Sequence, residues 1–211
     1  MLLLEKDNWL TTYLKKDSYK FLGNYKNISE VNFPENSFIE VKLATDDFKS
    51  LYLLQEYDFK IVDTSIQFTK KIDQEEIKKS EINNINFAES QDEEEVRSIA
   101  KNSFRQNRFF RDQKISNETA SIIKEEWAAN FFSGRRGDWM IIAKNVNDNI
   151  IGFLQLLKDN KHSLVIDLIA VSERYRGIGI AEKMITFAIQ NCMRDLKVIK
   201  VGTQLGNYPA M

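Results

Sequence analysis

Apolar and polar positions follow two rhythms along this chain, and the change from one to the other marks most of its elements. Residues 165–171, Val-Ile-Asp-Leu-Ile-Ala-Val, are an apolar run of strand length broken only by Asp167. Such a run predicts a buried β-strand. A short polar turn and a glycine-bearing loop follow, and then a 3.6-residue rhythm takes over. Ala181, Met184, Ile185, Ala188 and Cys192 fall on one face of a helix predicted at 178–195, with Glu182, Lys183, Gln190 and Arg194 opposite.

The same reading places other elements. Residues 139–144 and 150–157 predict strands joined by the turn-forming stretch Asn145-Val-Asn-Asp-Asn149. A further turn, 159–162, leads into the 165–171 strand. Residues 198–204 predict a strand lying parallel to it, since a helix makes the connection. Nearer the start, 38–44 and 59–69 read as strands around a helix at 46–57, with Asp46 and Asp47 in its first turn. Residues 85–89 read as another strand. Asp92, Glu93, Glu94 and Glu95 open a helix running to about Ser103, where acidic side chains suit the helix dipole and need no functional explanation. Asn117 reads as the cap of a helix continuing through Trp127 to about Phe132.

These elements divide into a small α/β unit at 1–73, a polar linker at 74–84 and a larger domain at 85–211. The larger domain predicts a mixed, mainly antiparallel sheet with flanking helices, an α/β (α+β) arrangement. The aromatic residues Tyr13, Tyr19, Phe21 and Tyr25 of the small unit read as packing. The 211 residues are 43% hydrophobic and 29% charged, with 30 Lys and Arg against 31 Asp and Glu. A net charge of −1 calls for neither nucleic acid nor an anionic membrane. No apolar run approaches ~20 residues, and Met1-Leu-Leu-Leu is too short for a signal segment, so the expected location is cytoplasmic. Cys192 and His162 are the single cysteine and histidine. An intrachain disulfide is excluded, and neither a metal site nor a catalytic role for His162, placed in a turn, is expected.

The chemistry concentrates after the 165–171 strand. The first N–H groups of a helix lack intrahelical acceptors and carry partial positive charge. Gly177 and Gly179 offer no side chain to block those donors, and Arg174 and Arg176 add formal charge. The combination suits a pyrophosphate, although a bare pair of turn glycines is its bland counterpart. Arg174-x-x-Gly177-x-Gly179, preceded by Leu168-Ile-Ala-Val171 and followed by the amphipathic helix, resembles the acetyl-CoA signature of the GNAT superfamily of N-acetyltransferases.

The resemblance implies the GNAT fold and acetyl-CoA as co-substrate, with no metal. Leu168, Ile169, Ala170 and Val171 would lend backbone to the pantetheine arm. Arg174, Arg176, Gly177, Ile178, Gly179, Ile180 and Ala181 would wrap the pyrophosphate, and Asn207 would contact the CoA arm. A backbone N–H near Ile169, where the family's strand is bulged, would hold the oxyanion. Asp167, the nearest carboxylate, is either the acceptor of the amine proton or a structural carboxylate.

Several segments further resemble one branch, the two-domain acetyltransferases that act on a dTDP-linked 4-amino-4,6-dideoxyhexose. The matching residues are Arg108-Phe109 with Asp112, Trp127, Asn130, the strand from Asp167, and Gly202-Thr-Gln-Leu-Gly-Asn207. Residues 103–112 hold three arginines and three phenylalanines, and Arg105, Arg108 and Phe109 would form a lip for a sugar nucleotide. Solvated arginines in a helix connection are the alternative. Another amine as acceptor (an amino acid, a polyamine or a protein N-terminus), or a non-catalytic CoA-binding module, also stays open, as does a homodimer. The family's thiolate-protonating tyrosine is expected past Met211, since Tyr208 lies too close to Asn207. A helix beginning near Pro209 and two strands are expected there, roughly 30 residues. Without them 198–204 is expected as an exposed edge.

Overall fold

The computed structural model describes residues 3–23, 25–73, 82–159, 163–192 and 196–208. In chain order these form β1 (Leu3–Lys6), α1 (Asn8–Leu14), β2 (Ser18–Leu22), β3 (Phe38–Glu40), α2 (Phe48–Glu56), β4 (Ser65–Lys71), β5 (Ile85–Phe87) and α3 (Glu93–Ser103). Then follow α4 (Arg108–Arg111), α5 (Asn117–Phe132), β6 (Trp139–Lys144), β7 (Ile150–Lys158), β8 (Ser163–Val171), α6 (Ile180–Cys192) and β9 (Val198–Gln204). Most of the expected linker, the turn holding His162, the helix end that includes Arg194, and the helix start near Pro209 lie outside the described residues.

Two compact units result, 1–64 with 108–119, and 65–107 with 120–211. The division expected at 73 and 85 is replaced. β4 belongs to the larger unit because all seven of its residues pair with β9, from Ser65 opposite Gln204 to Lys71 opposite Val198. The pairing also corrects the open edge expected for β9. Sequence distance hid this contact: a ladder joining residues this far apart leaves no local periodicity.

In the smaller unit β1 and β2 are antiparallel and β2 and β3 parallel. Phe21, Ile28 and Leu54 are buried, with Tyr25, Phe33 and Phe59 packed around them. The Phe21 ring meets Tyr25 and Phe33 edge-on at 5.1 and 5.5 Å.

The larger unit holds a six-stranded sheet in the order β4-β9-β8-β7-β6-β5, antiparallel except for β8 beside β9. Each face carries its own core. Ile141, Leu154, Leu156, Leu164 and Ile166 pack with Met184, Ala188 and Cys192 of α6. Met140, Ile142, Phe153, Leu168 and Ala170 pack with Val96 and Ile99 of α3 and Ala128 of α5. The helix α5 is capped one residue earlier than expected: Ser116 Oγ, not Asn117, accepts from the Thr119 N–H at 3.1 Å.

Two bulges set which residues face which core. Ala143 pairs with Gly152 but Lys144 with Ile150, leaving Ile151 as an extra residue. Gln155 pairs with Leu168 but Leu156 with Ile166, leaving Asp167 extra in β8. Strict alternation would send Leu168 and Ile166 to one face; the extra residue sends them to opposite ones. The bulge at Asp167 thus lies two residues before Ile169, near which the family resemblance implies one.

Candidate active site at an open strand edge

β8 and β9 run together only from Ser163 opposite Val198 to Ile166 opposite Val201. Beyond that they part, at the bulged residue Asp167, and β9 continues alone against β4. A bulge bends its strand, and here the bend opens one edge of β8 over its last residues.

The ladder with β7 decides which groups that edge offers. Ser172 N–H donates to the Ile151 carbonyl at 2.8 Å. Antiparallel pairs alternate between bonded and non-bonded, so Leu168 and Ala170 direct their backbone groups toward β7. Ile169 and Val171, opposite Leu154 and Gly152, direct theirs outward. Of the four residues expected to line the pantetheine arm, two therefore present the edge and two are engaged in the sheet.

The loop after β8 is held from both sides. A 3-10 turn covers Glu173–Tyr175. Arg176 Nε donates to the Val171 carbonyl at 2.9 Å, and Tyr175 Oη accepts from Asn145 Nδ2 at 3.1 Å. Gly177 and Gly179 have φ of +78° and +80°, and a Cβ added at either meets no heavy atom within 4 Å. Only glycine adopts this backbone readily, and the space beside it is open. The first helical bond of α6 runs from Lys183 N–H to the Gly179 carbonyl at 3.0 Å. The N–H groups of Ile180, Ala181 and Glu182 precede it and have no intrahelical acceptor. Arg174 and Ile178 are exposed, and Ile180 packs against the α6 core. Asn207 Nδ2 donates to Thr203 Oγ1 at 3.0 Å, fixing Asn207 at the end of β9.

Asp167 is not free. Its carboxylate accepts from Arg136 Nε and Nη2 at 2.7 and 2.6 Å, from Trp127 Nε1 at 3.0 Å and from Gln155 Nε2 at 3.2 Å. The hydrogen bond to Asp167 raises the Arg136 guanidinium above its ordinary range, against the opposing cost of burial. Four donors engage the lone pairs that a base needs, so the geometry favours the structural carboxylate among the two readings. Neither Arg136 nor Gln155 was singled out from the sequence. Gln155, the one polar residue in the apolar run 150–157, was the available signal.

The expected lip divides. Arg105 belongs to the larger unit, where Nη1 lies 3.4 Å from Ser121 Oγ. Arg108 and Phe109 belong to the smaller. Arg108 pairs with Glu40 at 2.9 Å and lies over the Phe109 ring at 4.6 Å, and Arg111 pairs with Asp63 at 3.2 Å. Phe109 is buried at 2% exposure, which corrects its expected role as an exposed stacking surface. The apolar ring was drawn inward, and Arg108 and Arg111 became ion-pair partners within the smaller unit.

Among the described residues no group of His, Cys, Asp and Glu could hold a metal ion, and no helix is long and apolar enough to cross a membrane.

Residues 94–211 match the model of the acetyltransferase (GNAT) family. A spore coat polysaccharide biosynthesis protein, SpsD of Bacillus subtilis (strain 168), is 33% identical over 122 residues, covering 57% of this chain and 41% of that protein. The chain thus spans about two-fifths of the length of that curated relative. Among solved structures, a GNAT-family acetyltransferase from Colwellia psychrerythraea aligns with a TM-score of 0.53 and 11% identity, over 88% of this chain and 63% of that one. A GCN5-related N-acetyltransferase from Sphaerobacter thermophilus aligns at 0.51 and 12%, over 80% and 51%. At these identities the two structures speak for the fold alone.

Proposed function

The chain belongs to the acetyltransferase (GNAT) family, and on that premise we propose that it binds acetyl-CoA along the open edge of β8 and transfers the acetyl group to the amine of an amino-sugar nucleotide. The observation that carries the reading is the continuity of two sets of backbone donors. The outward groups of Ile169 and Val171 lead directly into an open glycine loop and the first turn of α6.

Each part has its chemistry. Acetyl-CoA, when bound, supplies an activated acetyl thioester. The N–H groups of Ile180, Ala181 and Glu182, with the Arg174 charge, suit a pyrophosphate, and Gly177 and Gly179 leave its approach unobstructed. The Ile169 N–H, outward on the edge, would donate to the negative charge that develops on the acyl oxygen during transfer. Arg176 and Asn207 act by holding the loop and the end of β9. Asp167 is assigned no proton transfer.

The acceptor class rests on the relative involved in spore coat polysaccharide biosynthesis and on the sequence resemblance to enzymes of 4-amino-4,6-dideoxyhexose nucleotides. Calorimetry with acetyl-CoA, followed by thiol-release assays with a panel of amines, tests both levels. The panel would hold a dTDP-4-amino-4,6-dideoxyhexose, free amino acids, polyamines and an N-terminal peptide. A kcat/KM highest for the sugar nucleotide supports the full reading. Preference for another amine overturns the acceptor alone. Absence of acetyl-CoA binding overturns the whole.

A further inference from the structure

We infer that Arg136 is a positioning residue: its two-pronged ion pair with Asp167 holds the β8 bulge, and the bulge fixes the outward direction of the Ile169 N–H. The inference rests on the reading of that N–H as the acyl-oxygen donor.

A bulged residue has no partner across the ladder to define it. Asp167 is such a residue, and its side chain does what the missing pairing cannot. Arg136 meets it through Nε and Nη2, Trp127 through Nε1 and Gln155 through Nε2. These donors come from the α5–β6 turn, from α5 and from β7, so the carboxylate is fixed from three elements.

Arg136 is itself well fixed. Its backbone N–H donates to the Asn130 carbonyl at 3.1 Å. The next residue, Gly137, has φ +106°, and a Cβ there would lie 2.9 Å from Phe131 Cδ2 and 3.3 Å from Gln155 Cγ. Gln155 also shows what the arrangement tolerates. With its Nε2 turned to Asp167, its buried Oε1 has no hydrogen-bond partner among the described residues.

The consequence for the edge follows from register. A one-residue slip exchanges the bonded and non-bonded positions of a strand. If the extra residue were absorbed, Ile169 would turn its N–H into the β7 ladder and Leu168 would turn outward. The core contacts of Leu168 and Ile169 on opposite faces oppose such a slip, and the carboxylate anchors the residue from which it would start.

Arg136→Lys tests this, since it keeps the charge and removes the fork. In 15N-labelled protein the Ile169 amide resonance is expected to move, while those of Gly177 and Gly179 stay in place. The acetyl-CoA dissociation constant should change by less than about twofold, and kcat should fall on the order of 100-fold, as when one oxyanion donor is lost. Should Arg136→Lys lose its dispersed spectrum, Asp167→Asn, nearly isosteric, is read the same way. An unmoved Ile169 resonance in the folded variant overturns the assignment. So does an acid limb of the pH–rate profile that vanishes in Asp167→Asn and persists in Arg136→Lys, because Asp167 would then be a base. In the parent protein, an Ile169 resonance left in place by saturating acetyl-CoA overturns the reading of the edge instead.

Discussion

Arg176 donates its Nε–H to the carbonyl of Val171 at 2.9 Å, closing the turn between β8 and the glycine loop. That carbonyl is one of the outward groups of the open edge, so Arg176 both ties down the loop and occupies an acceptor. Arg174, two residues earlier, is exposed. Arg174, the motif's fixed arginine, and Arg176, at one of its free positions, both add charge in the sequence, yet they have different work.

Arg174→Ala is expected to weaken acetyl-CoA binding by about 1.5–3 kcal/mol, the range for a charge-assisted bond, with the loss shrinking at high salt. Arg176→Ala should weaken it with little salt dependence, because it loosens the loop. Calorimetric titrations at two ionic strengths distinguish them, and identical salt responses would make the roles equal.

Gly177→Glu places a side chain and a negative charge in the open space of the loop. The φ of +78° makes it strained by roughly 1–2 kcal/mol, a cost confined to an exposed turn. Acetyl-CoA affinity should fall sharply while the melting temperature drops by only about 2–8 °C. Unchanged affinity in folded Gly177→Glu would remove the loop from the site.

Arg108→Ala is expected to act on stability first. Its partner Glu40 is only 14% exposed, and an unpaired carboxylate there is unfavourable, though Arg108 is partly solvated and the loss should stay within about 2 kcal/mol. Urea melts of the variant and of Glu40→Gln report this. A raised KM for the sugar nucleotide with parental stability would restore Arg108 to substrate binding.

Cys192 is buried, and burial pushes its thiol up to about 12 from an ordinary 9. The unfolded chain loses that proton near pH 9 while the folded one keeps it. Stability is therefore fully present below pH 9 and declines above it, by up to ~1.4 kcal/mol per pH unit from this group, until the folded thiol ionises. Thermal melts from pH 8 to 10.5 on the parent and on Cys192→Ala test the difference in slope. The native thiol should also resist thiol reagents at neutral pH.

Removing residues 1–71 takes away β4 and leaves β9 with a free edge of seven residues. Such edges template association. The shortened chain should run as larger species by size-exclusion chromatography with light scattering. A monodisperse monomer would mean that β4 is dispensable for protecting β9.

Much of the larger unit was legible because its strands and helices carry their own periodicity. The glycine loop and the helix after it were equally plain, since positive φ and an unblocked helix start demand particular residues at particular spacings. The division of the chain was not. β4 looked local to the small unit, and its partner lies far along the sequence, where only a ladder reveals it. Phe109 beside arginines read as a lip, but burial of an aromatic ring outweighed its exposure.

What the sequence determined by itself was the elements and the loop, because each depends on rhythm or on one residue's backbone freedom. What the tertiary structure decided was direction. Whether Leu168 or Ile169 faces outward depends on one extra residue in β8, and that residue stays in place because side chains from three other elements meet its carboxylate. A one-residue change of phase alters no local composition, so only the assembled sheet can set it.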